Sequence, residues 1–326
     1  MNRIDLHIHL DGSMPPETVL KLADMSGVTL PATTLEALTQ YLTVSPDCTS
    51  LTEYLEKFDI PVSVLQTADC LETATYDVLA NLSRQGVVYA EVRYAPGLHL
   101  QRGMTHDEIV SATIQGLNRA MADFPIKAQL ILCCMRGAEE SVNRKTIDMV
   151  KKYLGKGVCC ADLAGAEALF PTADYKALFA YAKEQGVPFI IHAGEADGPE
   201  SMWAAIEMGA KRIGHGIAAI QDAKLMDYLR DHQIPLEVCV ISNLNTKGAE
   251  SAEQHPILRL LDYGIPVTVN TDNMTVSGTT LDKEFSLIRS ALHLTDSQEH
   301  QLLENSIRAA FLSEEEKNEL RKRIFA

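Results

Sequence analysis

The run Asp5-Leu6-His7-Ile8-His9 sets two imidazoles two residues apart. On a strand such residues face the same way, so His7 and His9 can share one metal ion. An HxH alone is more often a packed or surface pair. In His192-Ala193-Gly194-Glu195 a third histidine ends an apolar run, and a carboxylate follows three residues on. Helix capping would explain that Glu195 equally well. His215 stands between Gly214 and Gly216, residues that let the backbone approach a ligand closely. Asn270-Thr271-Asp272-Asn273 ends another run with an aspartate that could bind metal or cap a helix. An ordinary structural role fits each motif singly. The same explanation repeated at every one of these run ends does not. Three histidines and one aspartate form a neutral-imidazole and carboxylate set suited to a single zinc with one open position. Zinc makes a water nucleophilic near neutral pH, and a glutamate close by but off the metal can carry protons.

These residues need elements that aim them at one point. Short apolar runs at Arg3–His9, Val87–Tyr94, Lys127–Met135, Gly157–Leu163, Pro188–His192, Arg212–His215, Pro235–Val240 and Pro266–Thr271 read as strands. Helical periodicity fills Thr105–Phe124, Asn143–Leu154, Asp174–Gln185 and Asp222–Asp231 between them. Eight such units predict an α/β fold, a closed (β/α)8 TIM barrel, as a single domain over residues 1–326. Additional helices are expected in the first insertion, Pro15–Gln85, which would border the barrel mouth as a lid or pocket wall. More helix is expected at the C-terminus after Leu281, with Glu314–Arg323 on a solvated face. Polar residues gather at the C-terminal ends of the runs: His7, His9, Glu91, Arg93, Asp162, His192, His215, Ser242, Asn243 and Asp272. That rim is where catalytic groups converge in this barrel.

Composition narrows the partners. Hydrophobic residues at 46% and charged residues at 22% describe a globular chain with ample core. A net charge of −15 repels phosphate polyanions, so nucleic acid is not an expected partner, while a small neutral substrate is indifferent to that field. No apolar run nears the roughly 20 residues of a membrane span. With the first strand starting at about Arg3, no signal peptide is expected. The seven cysteines form no CxxC, and Cys133-Cys134 and Cys159-Cys160 are strand neighbours pointing to opposite faces. They read as reduced, packed thiols of a cytoplasmic protein.

Several stretches, taken in chain order, resemble the adenosine deaminase family. They are HIHLDGS at 7–13, EVRYAPGLH at 91–99, DLAGAE at 162–167, HAGE at 192–195, RIGHG at 212–216, SN at 242–243, HP at 255–256, NTDN at 270–273 and NSIRAAFLSEEEK at 305–317. The resemblance implies one zinc per chain, held by His7, His9, His192 and Asp272. It implies that Glu195 protonates ring nitrogen 1 of a purine, that His215 orients the attacking hydroxide and steadies its charge, and that Asp272 helps take up its proton. It also sets His9, Asp11, Gly165, Asn273 and Phe58 against the substrate. Asp11 would hold the ribose 5′-hydroxyl, the Gly165 N–H would meet ring nitrogen 3, and Asn273 would face ring nitrogen 7. Phe58 belongs to the set Leu51, Tyr54, Leu55 and Phe58, whose helical spacing matches family positions on the ribose side of the cleft. The implied reaction is hydrolysis of adenosine, and of 2′-deoxyadenosine, to the inosine product and ammonia, in purine salvage.

The chain departs from that family's pattern at two places. Asn273 stands where many members have a second aspartate, and its amide donates at any pH. Ala166 replaces a common acidic residue, without an evident reason. An AMP deaminase is disfavoured, because a 5′-phosphate would be repelled by Asp11. Adenine or aminodeoxyfutalosine deaminases on the same scaffold are the alternative, although these typically carry glutamate at the Asp11 position. A binuclear site is disfavoured because no lysine ends the fourth strand. A non-catalytic binding scaffold is disfavoured because every proposed ligand and proton carrier is intact.

Overall fold

Eight parallel strands follow one another in the expected order in the computed structural model, which describes residues 2–326. They are β1 (Arg3–His9), β2 (Val87–Tyr94), β3 (Lys127–Met135), β4 (Val158–Ala164), β5 (Ile191–Ala193), β6 (Ile213–His215), β7 (Leu236–Val238) and β8 (Val267–Val269). Ladder pairing joins β1-β2-β3-β4 and β5-β6-β7-β8. Two narrow seams close the barrel. At one, the Ala161 N–H donates to Pro188 O at 2.9 Å and the Ile190 N–H to Ala161 O at 3.0 Å. At the other, the Asp272 N–H donates to His7 O at 2.8 Å and the His9 N–H to Asp272 O at 2.7 Å. The second seam therefore runs through three residues that the sequence singles out for chemistry.

The last four strands are shorter than their apolar runs. The run read as strand to Val240 stops pairing at Val238, and Val240–Asn245 is helix. Ser242 and Asn243 thus reach the site from a helical turn and not from a strand end.

Alternation along β1 separates two layers. Ile4, Leu6 and Ile8 join the apolar core with helix residues such as Leu302 and Ile307. His7 faces the interior, where it meets Glu237 of β7. That interior is charged where such barrels commonly stack branched aliphatics. Arg93 and Arg212 are fully buried among Glu91, Asp162 and Glu237. Glu91 and Arg93 therefore do not sit at the rim, as the sequence pattern implied. Arg93 lies beneath it. Glu91 accepts from the Phe311 N–H at 2.7 Å and pairs with Arg212, at the opposite end of the barrel.

The first insertion folds into helices Pro16–Ser26, Leu35–Leu42, Leu51–Leu55, Asp59–Val64 and Ala68–Arg84. Thr34, Ser50 and Thr67 cap three of them by accepting from first-turn N–H groups. The tail forms Leu281–Leu292, Asp296–Ala309 and Glu314–Phe325. All seven cysteines are buried and unpaired. Among the described residues, no helix is long and apolar enough to cross a membrane.

Candidate active site

The strand ends place the reactive side chains by breaking regular backbone. His215 and Asp272 both sit at φ 59°, in the left-handed region that non-glycine residues seldom adopt. For Asp272 the paired hydrogen bonds to His7 and His9 hold that conformation. The turn aims its carboxylate at the histidines of the adjoining β1.

Four side chains meet there. His9 Nε2 and His192 Nε2 are 3.2 Å apart, and Asp272 Oδ1 lies 3.5 Å from His7 Nε2 and 3.4 Å from His9 Nε2. The tautomers of His7 and His192 are set from behind. His7 Nδ1 donates to Glu237 at 2.8 Å, and His192 Nδ1 donates to Asp162 at 3.0 Å. Each bond leaves an Nε2 lone pair aimed into the cluster, the arrangement that orients imidazole for a metal. His7 Nε2 is buried and has no hydrogen-bond partner. A lone pair left bare in this way is costly unless something electrophilic faces it. Ser242 donates to the other Asp272 oxygen at 2.6 Å. The residues present fit a metal ion.

A second group faces the cluster from the β5 and β6 side. His215 Nδ1 lies 3.1 Å from the Asn243 amide nitrogen, and the Asn243 oxygen is 3.3 Å from His255 Nε2. The amide donates to Nδ1, so His215 carries its proton on Nε2, which points at the Glu195 carboxylate 3.5 Å away. Burial holds the His215 imidazole well below its ordinary range. Burial, then the negative charges of Asp272 and Glu167, pushes Glu195 well above the ordinary carboxylate range. A carboxyl raised in this way is suited to holding and donating a proton.

A single cavity of about 530 Å³ opens over both groups. His9, Asp11, Phe58, Gly165, His192, Glu195, His215, Asp272 and Asn273 all line it. His7 lies behind them, fully buried. Leu51, Tyr54, Leu55 and Phe58 form the apolar wall from the first insertion, and the Tyr54 hydroxyl meets Ser277 Oγ at 2.7 Å to fasten that wall to the loop after β8. Burial pushes the Asp11 carboxyl up to about 6. Asn273 Oδ1 is buried against Gly12, where a Cβ would lie only 1.9 Å from it, so the amide nitrogen is the end turned toward the cavity.

Several residues of the site escaped the sequence reading. Glu237 is a lone charge inside an apolar run, and that buried charge was the available signal. Asn243, His255 and Glu167 lie within quoted motifs but drew no role. Asp162 is read from the sequence only as one of the polar residues at the strand ends, with no partner assigned.

Residues 2–326 match the family model described as Adenosine deaminase. An adenosine deaminase of Haemophilus ducreyi is 48% identical over 322 residues, which cover 97% of this chain and 94% of that protein. The crystal structure of an adenine deaminase from Arthrobacter aurescens superposes with a TM-score of 0.90 at 27% identity, covering 98% of this chain and 97% of that one. An Arabidopsis N6-mAMP deaminase gives 0.86 at 26% identity, with 99% and 97% covered. Matched over nearly its whole length by that model and by that relative, the chain belongs to the adenosine deaminase family.

Proposed function

We propose that this chain, as one catalytic domain over residues 1–326, hydrolyses the 6-amino group of adenosine and 2′-deoxyadenosine, releasing the inosine product and ammonia. The observation that carries the reading is the convergence of proton carriers, metal-type donors and an apolar wall on one nucleoside-sized cavity. The name borne by the Haemophilus ducreyi relative supports the substrate. A cytoplasmic place in purine salvage accords with that reaction.

His7, His9, His192 and Asp272 would hold one zinc ion per chain. Bound there, zinc supplies the Lewis acidity that makes water nucleophilic near neutral pH. Glu195 delivers its proton to ring nitrogen 1, which makes ring carbon 6 electrophilic. The His215 Nε2–H, fixed by Asn243, orients the attacking oxygen, and Asp272 takes up the proton that oxygen sheds. The Gly165 N–H meets ring nitrogen 3 and the Asn273 amide donates to ring nitrogen 7. Asp11 receives the ribose 5′-hydroxyl, while Phe58 and its neighbours shield the sugar side from water.

Ammonia release from adenine, adenosine, 2′-deoxyadenosine, AMP and aminodeoxyfutalosine tests this directly. The two nucleosides are expected to have the highest kcat/KM. A higher value on adenine or aminodeoxyfutalosine would transfer the assignment to that alternative. No release from any of them by metal-loaded protein would leave the binding-scaffold reading.

A further inference from the structure

Glu167 touches no reacting atom in the reaction above, yet five donors converge on its carboxylate. Oε1 accepts from the Gly194 N–H at 2.7 Å and from the Ser201 hydroxyl. Oε2 accepts from the N–H groups of Glu195, Ala196 and Asp197 at 3.0, 2.8 and 3.2 Å. Those four consecutive amides are the turn that carries Glu195. The β5 ladder ends at Ala193 and Gly194 is at φ 71°, so strand pairing cannot hold this segment. The Gly194 and Glu195 amides are buried, and an anion in their midst satisfies them.

The carboxylate is itself held from outside. Ser201 Oγ is 2.7 Å from Thr172 Oγ1. Arg136 reaches Thr172 Oγ1 at 2.9 Å and His192 O at 2.6 Å. The ring of bonds thus ties the segments after β3, β4 and β5 together around one turn.

We propose that Glu167 is a positioning residue for the proton transfer: it fixes the 194–197 turn so that the Glu195 carboxyl points at the ring nitrogen it protonates. This rests on the role assigned to Glu195 above. Misplacing a reacting group by about 1 Å costs on the order of a hundredfold in rate. No hydrogen bond joins this turn to Asp11 or to Leu51, Tyr54, Leu55 and Phe58, so substrate binding is expected to change little.

The test is a double-mutant cycle with metal content and thermal midpoint measured for each protein. Glu167→Gln keeps the shape but turns one acceptor into a donor that faces amide N–H groups. Its kcat is expected to fall about 10–100-fold while KM moves by less than about threefold and metal is retained. In a Glu195→Gln background the same change is expected to alter kcat by less than about twofold, because a group that cannot transfer a proton loses nothing by being misplaced. Equal losses in both backgrounds, a kcat within about twofold of the parent, or loss of metal would overturn the proposal. If Glu167→Gln does not fold, Ser201→Ala carries the test, since it removes one donor and leaves the carboxylate. A several-fold loss of kcat seen only when Glu195 is present supports positioning, and an unchanged kcat overturns it. Failure of the parent reading is distinguishable: Glu195→Gln alone would then turn over nearly normally.

Discussion

Replacing Glu237 with glutamine probes whether the carboxylate behind His7 sets metal affinity. Its Oε2 accepts from His7 Nδ1 at 2.8 Å and Arg93 Nη2 at 2.7 Å, and its Oε1 accepts from Arg212 Nε at 2.5 Å. All of these groups are fully or almost fully buried. Glutamine offers one accepting oxygen, so its NH₂ must face at least one donor in a dry interior. Removing one partner of a buried ion pair costs about 3–5 kcal/mol, and the retained amide oxygen puts this case near the lower end. Losing the outer partner of a ligating histidine lowers metal affinity about 10–100-fold. Burial opposes ionisation of Glu237, but the charges of Arg93 and Arg212 outweigh it and hold the carboxyl well below its ordinary range. A depressed folded pKa stabilises above the unfolded value of about 4.3, and the contribution fades as pH falls toward the folded value. The stability gap between parent and Glu237→Gln should therefore be full at neutral pH and narrow only in acid. Urea denaturation across pH and chelator competition for the metal measure both effects. A variant within about 0.5 kcal/mol and twofold in metal affinity of the parent at pH 7 would refute the argument.

Three further outcomes follow from the site. Glu195→Gln is expected to keep its metal and bind a ground-state analogue within a few-fold of the parent, while turnover falls by at least ~10²–10⁴; turnover within about tenfold, or loss of metal, contradicts the assignment. Asp11→Ala is expected to weaken adenosine turnover more than that of 5′-deoxyadenosine by about 1.5–3 kcal/mol, the worth of a charge-assisted hydrogen bond. Equal losses on the two nucleosides remove Asp11 from sugar recognition. In Gly12→Ala the new Cβ would collide with Asn273 Oδ1 and displace the amide. KM for adenosine should rise, and should rise less for 7-deazaadenosine, which has no ring nitrogen 7 to lose; identical rises would mean that the amide does not touch that edge.

The residues legible in the sequence share one property: their meaning follows from position along a strand. A barrel gathers all its strand ends on one rim, so HxH, HAGE, GHG and NTDN, far apart in the chain, converge without further information. Strand length was less legible because the later apolar runs begin before the first ladder pair and, at β7 and β8, continue past the last one. Asp272 enters a left-handed turn just beyond β8, and such a turn leaves no mark on an apolar run. Glu237, Arg93 and Asp162 were illegible for another reason. Arg93 bonds Glu237 from 144 residues away, and His7 does so from 230, so the identity of either partner says nothing about the other until the barrel is closed. Glu91, Asp162 and Glu237 set three carboxylates against the guanidiniums of Arg93 and Arg212, an excess of negative charge that Asp272 extends to the rim. Buried charge of one sign is expensive unless it is offset. The same network that makes the histidines point their lone pairs at one spot thus also makes that spot favour a cation.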